Sequence, residues 1–381
     1  MADSIIRKTF KFRLYPSRSQ ITKLEMTLGL CRELYNSALQ ERRDAWKLNR
    51  INISNQDQEK QLPEIKTIRE DLNLVYSQVL QDVLKRVDRS FQNFFRRAKR
   101  KEKAGFPRFQ NKFRYNSFTY KQLGFSVSNG KINLSKIGKV KIKLHREVIG
   151  KIKTLTISKD SCGKWFACFS VEAACEILEP INKSVGIDVG LKTFCTLSDG
   201  VEIDNPRSFR NSEKILATAQ RRLSKQPKGS KDRHKKRKIV AKIHNRIKNR
   251  RSNFAHQVSR FLVNSYDRIF FEDLNIKGMM KNHCLAKAIG DVAWNQTVQY
   301  TQYKAENADR IVRTVNPRNT SQICSSCGET VKKDLSVRIH HCLNCGLEIC
   351  RDLNAAKNIL RIGLDSLGNQ SLEAPEFIRG E

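Results

Sequence analysis

Four cysteines in the carboxyl-terminal part of the chain have the spacing of a metal site. Cys324 and Cys327 form one Cys-x-x-Cys pair, Cys342 and Cys345 form a second, and fourteen residues separate the two pairs. A glycine follows each pair and lets the backbone bend so that both sulfurs face one point. Four thiolates suit one tetrahedral Zn²⁺ ion and leave it no open position, so this metal is predicted to be structural. Two disulfides are the alternative, but the sequence begins without a secretory signal and the other cysteines are scattered through apolar segments.

Three acidic residues have positions from which they could bind a second kind of metal. Asp188 interrupts an apolar strand, Glu272 ends another, and Asp352 opens a helix directly after the cysteine region. An ionised Asp in an apolar strand is costly to bury unless a metal or another cation meets it. The alternatives are a core Asp satisfied by hydrogen bonds at position 188 and a helix N-cap at position 352.

The chemistry of these acids follows from their charge. Three carboxylates that converge repel one another unless divalent cations neutralise them, so the arrangement predicts two Mg²⁺ ions about 4 Å apart and hydrolysis of a phosphodiester. We expect Asp188 to bridge both ions, Glu272 to hold the ion on the water side, and Asp352 to complete the second site. Asp273 is expected to be a loop or capping acid, because neighbouring strand residues face opposite sides.

The elements around these acids predict how they meet. From Ser184 onward the patterns give three strands, a long helix, a strand, a helix, a strand, the cysteine segment and a last helix, which is the order of a ribonuclease-H-like fold. In that fold the first and fourth strands are neighbours, so Asp188 and Glu272 should lie together, and the last helix should deliver Asp352.

The long helix is strongly basic. A basic segment from Arg221 to Arg251 has Lys235, Lys236 and Arg237 at its centre, its apolar residues from Ile239 to Val258 have helical spacing, and it is expected to grip phosphates as a folded basic helix. A nuclear localisation signal is the alternative for such a run.

The amino-terminal half has a different pattern. Residues 8–15 alternate apolar and basic side chains as a half-buried strand does, and a helix follows from Ser17. The segment from Arg50 to Leu62 is expected to be a polar loop. A second long helix should have Arg96 and Arg97 on its basic face and turn a set of apolar residues inward: Val79, Val83, Leu84, Val87, Phe91, Phe94, Phe95 and Ala98. Short strands from residue 113 to 178 then predict a small β-barrel or sandwich that includes the first strand.

Composition limits the class of partner. The chain has 381 residues, enough for two or three domains, and 73 Lys and Arg against 38 Asp and Glu give a formal charge of +35. Such an excess favours nucleic acid as the partner. A membrane is not expected, because the basic residues are spread through the chain and no apolar run reaches eighteen residues.

Several motifs together resemble those of one family. The runs G-I-D-V-G around Asp188, F-E-D-L-N around Glu272, T-S-Q-I-C-S-S-C-G, H-C-L-N-C-G and R-D-L-N-A-A-K-N-I-L are similar to those of TnpB, the RNA-guided DNA endonuclease encoded by insertion sequences and related to type V CRISPR effectors. R-L-Y-P-S, N-F-F-R-R and G-F-P-R-F extend the resemblance over nearly the whole chain.

The resemblance implies a mixed α/β, multidomain architecture. A wedge β-barrel is interrupted by a helical recognition domain, and a RuvC nuclease domain carries a zinc-ribbon insertion that binds target nucleic acid. The implied boundaries are 1–15 and 113–181 for the wedge barrel, 16–112 for the recognition domain, 182–319 and 349–362 for the nuclease domain, 320–348 for the zinc ribbon, and 363–381 for a poorly ordered tail.

The resemblance also implies partners and a location. A guide RNA from the transposon end would pair with one strand of double-stranded target DNA beside a short transposon-adjacent motif, with one protein per guide RNA. Ser77, Gln78 and Gln81 lie near the family's contact with that motif, and amides can read adenine edges. The expected location is the prokaryotic cytoplasm, at the nucleoid when DNA is bound.

One departure and two other functions remain open at this point. The family usually has Asp-Arg-Asp before Asn-Ala-Ala, and here Cys350 replaces the first acid, as a partly buried thiol or a competing fifth thiolate. The other functions are an RNA-guided DNA-binding repressor without catalysis, which the retained acids disfavour, and a transposase or accessory protein of the element.

Overall fold

The computed structural model describes residues 5–334 and 337–368. The chain divides into two compact units, the first ending at Ala174 and the second beginning at Cys175. This division falls seven residues before the predicted boundary at 181, because residues 176–179 bond to the second unit. Leu178 N donates to Ala308 O at 3.2 Å, and Arg310 Nη2 donates to Glu179 O at 2.6 Å.

The first unit is built on an antiparallel sheet that forms a nearly closed barrel. Its seven strands within the described residues are β1 (Ile5–Tyr15), β2 (Ser117–Tyr120), β3 (Phe125–Ser128), β4 (Lys131–Leu134), β5 (Gly138–Lys143), β6 (Lys151–Lys159) and β7 (Trp165–Ala174). Their order is β2-β6-β7-β1-β5-β4-β3, so the first strand of the chain lies at the centre. The predicted barrel that includes the first strand is therefore confirmed in outline.

Three α-helices connect β1 to β2: α1 (Arg18–Asn49), α2 (Asn55–Ile68) and α3 (Ser77–Lys99). They share one apolar core with the sheet. The predicted polar loop from Arg50 to Leu62 is wrong, because α2 begins inside it. Ser54 caps this helix: its Oγ accepts from Asp57 N at 3.2 Å, and Asp57 Oδ2 accepts from Ser54 N at 2.9 Å. Only Gln58 and Leu62 of α2 are buried, too few to give a helical apolar period.

The second unit contains a mixed sheet of five strands among the residues described: β8 (Ser184–Val189), β9 (Thr193–Leu197), β10 (Glu202–Asp204), β11 (Arg268–Glu272) and β12 (Ile311–Val315). The order is β10-β9-β8-β11-β12, and β8 pairs with β11 in parallel. The predicted neighbourhood of the first and fourth strands is confirmed. A separate hairpin of β13 (Ile339–His341) and β14 (Glu348–Cys350) lies in the cysteine segment.

The helices of this unit cover its sheet. They are α4 (Glu213–Ser224), α5 (Lys231–Ser265), α6 (Ile276–Met279), α7 (His283–Val292), α8 (Trp294–Ala308) and α9 (Arg351–Gly368). The predicted helix from Leu285 to Ala308 is two helices, because Ala293 has a left-handed backbone with φ of 55°. None of the helices in residues 5–334 and 337–368 has the length and apolar character needed to cross a membrane.

The last helix corrects the predicted start of the tail. Residues 363–368 were expected to be poorly ordered, but α9 includes them, because Gly363 packs directly on the ring of Phe270. A Cβ on Gly363 would lie 2.2 Å from that ring, so glycine is what allows the contact. Residues 369–381 lie outside the described residues.

Candidate carboxylate site and cysteine cluster

Asp188 and Glu272 occupy the same edge of the five-stranded sheet. Strands β8 and β11 are in register with Ile187 opposite Phe271, so the next residues along the two parallel strands are Asp188 and Glu272. Both strands are buried up to these positions: Ile187 and Phe270 are fully buried, and the two acids lie where burial becomes partial. The side chains therefore project from the carboxyl ends of adjacent core strands.

Asp352 reaches this edge because α9 lies very close to β8. A Cβ on Gly186 would stand 2.2 Å from Ala356 O and 2.4 Å from Leu360 N, so only glycine permits the approach. Asp188 lies two residues beyond Gly186, roughly 6.6 Å along a strand. Asp352 lies one helical turn before Ala356, about 6 Å along the helix axis. The close approach thus brings the first turn of α9 level with the end of β8.

The electrostatics of Asp188 reflect this proximity. Burial first, and then the negative charges of Glu272 and Asp352, raise the pKa of Asp188 well above its ordinary value, while the Arg351 guanidinium acts in the opposite direction. Burial also raises the pKa of Glu272, partly offset by a hydrogen bond from Thr320. The structure thus brings together all three acids that the sequence singles out.

The three carboxylates do not form a single tight cluster of ligand atoms. Among the described residues, the four cysteines are the group of metal-ligating side chains whose ligand atoms all lie within 4.8 Å of one another. Asp352 Oδ1 instead accepts from Arg351 Nε at 3.1 Å and Nη2 at 3.0 Å. A wider separation suits a site shared by two cations better than a site for one.

Thr320 is a residue of this site that the sequence reasoning missed. Its hydroxyl donates to Glu272 Oε1 at 2.6 Å, and the residue is almost fully buried. Two asparagines of α9 hold the segment that contains it: Asn358 Nδ2 donates to Thr320 O at 2.9 Å, and Asn354 Nδ2 donates to Ile323 O at 2.7 Å. Both asparagines are fully buried, and their spacing of four residues on an apolar helix face was the available signal.

The four cysteines have the geometry of a metal centre. The Sγ atoms of Cys324 and Cys345 are 3.6 Å apart, as are those of Cys327 and Cys342, whereas a disulfide would need about 2.05 Å. All eleven cysteines, each within the described part of the chain, are free thiols. The cluster is compatible with zinc, and the two-disulfide alternative has no support.

The thiols differ in acidity. A backbone hydrogen bond from Glu329, followed by one from the Asn344 side chain, lowers the pKa of Cys327 to about 6, which favours the thiolate that zinc requires. The backbone amide of Leu347 lowers the pKa of Cys345, but burial and the three neighbouring sulfurs outweigh it and raise the value to about 11. The four sulfurs compete for protons in the metal-free protein. A bound cation would replace those protons and hold all four sulfurs as thiolates.

Two neighbouring residues take no part in either cluster. Cys350 ends β14 with an exposed side chain outside the four-cysteine group, so the expected partial burial is wrong. Its strand partner Ile339 is exposed as well. Asp273 is exposed after the end of β11, and its backbone amide donates to Val315 O at 2.8 Å.

The eight residues predicted to contact nucleic acid lie on helices of the two units, five of them exposed and three half-buried. In the first unit, Ser77 begins α3 and accepts from Lys66 Nζ at 2.7 Å, while Gln78 and Gln81 are half-buried. Arg96 and Arg97 are exposed in the last turn of that helix.

In the second unit, the first turns of α5 carry the predicted basic group. Lys235 and Arg237 are exposed and Lys236 is half-buried. Lys235 pairs with Asp232 at 3.2 Å. The geometry leaves these surfaces accessible to phosphates.

Comparison with known proteins identifies the family. A family model described as a probable transposase matches residues 168–283, and one described as a Cas12f1-like TNB domain matches residues 294–359. A protein of Streptomyces pristinaespiralis with the provisional name RNA-guided DNA endonuclease is 35% identical over 94% of this chain and 90% of its own length. The chain belongs to the TnpB family.

Other members and a solved structure extend the TnpB comparison. An Escherichia coli (strain K12) protein with the same provisional name is 32% identical over 93% of this chain and 92% of its own. A cryo-EM structure of a Cas12f1–sgRNA–target DNA complex has the same fold, with a TM-score of 0.59 and 16% identity over 93% of this chain and 98% of that one.

One further match needs a structural correction. A family model described as a helix-turn-helix domain matches residues 1–50. Within the described residues of that range, this TnpB protein instead has β1 followed by the continuous 32-residue helix α1.

Proposed function

We propose that this chain is an RNA-guided DNA endonuclease of a transposable element, which hydrolyses phosphodiesters of target DNA chosen by pairing with a guide RNA. The observation that carries the proposal is the convergence of Asp188, Glu272 and Asp352 from β8, β11 and α9 in a chain similar over most of its length to proteins named as such endonucleases. The three acids are the proposed catalytic residues of a RuvC-type nuclease domain.

The site fits divalent cations. Carboxylate oxygens are hard ligands, and the mutual repulsion that raises the pKa of Asp188 is the repulsion that such cations relieve. Two Mg²⁺ ions, when bound, would supply an activated water and stabilise the leaving oxygen. We assign Asp188 to both ions, Glu272 to the water-side ion and Asp352 to the other.

The chain's own residues prepare those ligands. The Thr320 hydroxyl fixes one oxygen of Glu272 and leaves the other available. Asp352 accepts both hydrogen bonds from Arg351 on one oxygen, Oδ1, so the guanidinium offsets part of the negative charge of the site. The same guanidinium is proposed to bind anionic oxygens of the DNA backbone at this site.

The remaining assignments concern architecture and partners. One structural Zn²⁺ on Cys324, Cys327, Cys342 and Cys345 would stabilise the ribbon between β12 and α9. The barrel and helices of the first unit correspond to the proposed wedge and recognition domains. The charge of +35 supports guide RNA and double-stranded DNA as partners, with one protein per guide RNA.

The nucleic-acid contacts follow from exposure and charge. Arg96 and Arg97 of α3 and Lys235, Lys236 and Arg237 of α5 are proposed phosphate contacts. Ser77, Gln78 and Gln81 are proposed to read the transposon-adjacent motif.

The test begins with the RNA that the protein carries. The chain is purified with the RNA from its own element, that RNA is sequenced, and a plasmid with a matching target is offered with Mg²⁺. We expect one discrete guide RNA and cleavage that depends on both guide and Mg²⁺. Asp188→Asn should abolish cleavage and leave RNA binding nearly unchanged. Full cleavage by this variant, or copurification of random RNA fragments alone, contradicts the proposal.

The description of one matching model as a probable transposase supports a second candidate function, strand transfer. Both reactions use metal-bound acids, but only transfer joins a DNA end to a new strand. Sequencing of plasmid products for joined ends separates them: cut ends without joints support the endonuclease, and joined products support transfer.

A further inference from the structure

Four phenylalanine rings in contact form an aromatic surface in the first unit at the end of α3 and in the segment that follows, and that segment also carries the exposed Phe109. We call this surface the phenylalanine patch; its members are Phe91, Phe94, Phe95, Phe106 and Phe109. Four of the rings contact one another: centroid distances are 5.3 Å for Phe94–Phe95, 5.4 Å for Phe94–Phe106, 5.6 Å for Phe91–Phe106 and 6.3 Å for Phe91–Phe95. The fifth ring, Phe109, has the Arg43 guanidinium 5.2 Å from its centroid.

The patch faces outward. Phe95 is 61% exposed, and Phe106 and Phe109 are each 46% exposed. The sequence pattern predicts that α3 turns Phe95 and Ala98 inward, and both are exposed, because the buried face of the helix ends at Val87 with Phe91 and Phe94 half-buried beyond it. Several large apolar side chains exposed together are unusual on a folded surface and mark a place of contact.

The backbone that presents these rings is held in place. Asn36 of α1 receives the returning segment with two hydrogen bonds: its Nδ2 donates to Gln110 O at 3.0 Å, and its Oδ1 accepts from Gln110 N at 2.8 Å. Arg42 lies over the Phe91 ring at 5.7 Å and pairs with Asp88 at 2.9 Å. The exposure of the rings is therefore a feature of an ordered surface that spans α1, α3 and residues 104–110.

Cations surround the patch. Between Phe94 and Phe109 the chain has seven basic residues and one acid, Glu102. All seven are exposed: Arg96, Arg97, Lys99, Arg100, Lys101, Lys103 and Arg108. No ion pair of the described residues 5–334 and 337–368 involves any of them.

We infer that the phenylalanine patch is a stacking platform for unpaired bases of RNA, with the surrounding Lys and Arg side chains on the adjacent phosphates. Aromatic faces stack on any base, and neighbouring cations follow the backbone. RNA is the occupant we infer, because its loops and single strands present unstacked bases before any target is bound, whereas target DNA is a stacked duplex until guide pairing opens it. A second copy of this chain fits poorly, since it would bring two sets of seven cations face to face.

The inference rests on the proposed function in one respect, namely that the protein holds RNA. It goes further by naming the surface and the chemistry of contact. Stacking predicts a specific response to substitution. Tryptophan or tyrosine in place of phenylalanine should preserve RNA binding, whereas leucine, which is apolar but has no π face, should not.

The first experiment measures affinity for a single-stranded RNA oligonucleotide of about 12 nucleotides. The full-length Asp188→Asn protein is used throughout, so that cleavage does not interfere. Phe95→Leu combined with Phe106→Leu should weaken binding between about 5- and 100-fold, and Phe95→Trp should bind at least as well as the parent. A duplex RNA of the same length should show no such difference.

Phe261→Leu is the matched control. Phe261 is 41% exposed on the basic helix α5 and has a ring contact with Tyr266, outside any aromatic cluster. We expect its affinity to equal that of the parent. An equal loss in this control and in the double variant would contradict a special role for the patch.

A second experiment locates the RNA directly. The same oligonucleotide with 4-thiouridine is crosslinked by light and the attached peptides are identified by mass spectrometry. Crosslinks to peptides that contain Phe95, Phe106 or Phe109 support the inference. Unchanged RNA affinity in the double leucine variant overturns it, as does a dimer in light scattering that those substitutions dissolve. Failure of the parent to bind any RNA would instead count against the proposed function.

Discussion

Thr320 connects the two chemistries of the second unit. Its hydroxyl donates to Glu272, its carbonyl accepts from Asn358, and it precedes the first cysteine of the four-cysteine cluster by four residues. A buried carboxylate with one oxygen fixed by a donor has fewer orientations to lose when a cation binds. Thr320 therefore acts as a positioning residue for Glu272.

Thr320→Val tests this positioning role, because valine has nearly the same shape as threonine but lacks the hydroxyl. The variant removes the donor and leaves a buried Glu272 oxygen without its hydrogen-bond partner. An unsatisfied buried acceptor costs about 1–3 kcal/mol of free energy. We expect weaker Mn²⁺ binding, measured by calorimetry, and cleavage slower by roughly 5- to 100-fold.

Thr320→Ser, which keeps the hydroxyl, is the control and should behave as the parent does. Zinc content should be the same in all three proteins. Parental metal affinity in Thr320→Val would show that the hydrogen bond has no positioning role.

For single residues, the sequence predicts which side chains could bind a metal, but it does not predict which hydrogen-bond partners they meet in the fold. Asp188 and Glu272 are recognisable because an acid within or at the end of an apolar strand is costly to bury without a counter-charge, and Asp352 because its motif follows the cysteine segment directly. Thr320 is not, since a threonine in a loop gives no sign of what its hydroxyl meets 48 residues away. The exposure of Cys350 is likewise not visible in its residue type, since it depends on the place of β14 in the hairpin with β13.

Among the elements, the contact of α9 with β8 determines whether the carboxylate site exists. Gly186 lets the helix backbone lie against the strand, and Gly363 does the same against Phe270 of the next strand. These two glycines thus determine how closely α9, the helix that carries Asp352, packs on the sheet and how it is oriented along the strands.

Gly186→Ala should push α9 away from β8. The added Cβ would meet backbone atoms at 2.2 and 2.4 Å, which cannot yield as a flexible side chain can. We expect a loss of about 1–3 kcal/mol or more in the free energy of unfolding and loss of cleavage.

Gly290→Ala in α7 is the matched control, because nothing lies within 4 Å of its added Cβ. That variant should be unchanged or up to about 1 kcal/mol more stable in urea unfolding. Equal stabilities of the two variants would rule out the tight contact.

A buried lysine between α5 and α8 gives a pH dependence. Lys304 Nζ donates to His256 O at 2.7 Å and Ser259 Oγ at 2.6 Å, and burial, followed by the charge of Arg260, lowers the pKa of Lys304 to about 8. The unfolded chain keeps this proton up to about pH 10.4. Between these values the unfolded state binds more protons, so stability should rise with pH.

We expect the free energy of unfolding of the parent, relative to Lys304→Met, to rise by up to about 3 kcal/mol from pH 8 to 10.5 and to be flat between pH 6 and 7. Urea unfolding of both proteins at each pH provides the measurement. A constant difference over the whole range would mean that the lysine titrates in the same way in both states.

Helices and strands could be predicted from the sequence where the periodic pattern of apolar residues extends over many positions. The helix α5 and the strands β8 and β11 have many buried positions, and their patterns show it. Helix α2 buries two residues only, so its cap was the available signal. The break at Ala293 was not predictable, because the residue is an alanine and the nearest glycine, Gly290, lies inside α7.

For the whole molecule, charge dominates association. A formal charge of +35 predicts that RNA binding depends strongly on salt, because each phosphate contact releases counterions. With 6–10 such contacts, affinity should fall by about 10³- to 10⁵-fold between 50 and 200 mM salt. Filter binding of Asp188→Asn to its own RNA over this range gives the slope, and a nearly flat line would contradict a phosphate-dominated interface.

The bonds from α9 to the cysteine segment also limit how this protein can be re-engineered. Asn354 and Asn358 belong to the helix, yet they hold the loop on which the ribbon begins. A chimera that exchanged residues 320–348 with those of a relative would keep the sulfur ligands but would depend on foreign loop carbonyls meeting these two amides. The exchangeable module is therefore longer than the ribbon and extends through the second turn of the helix.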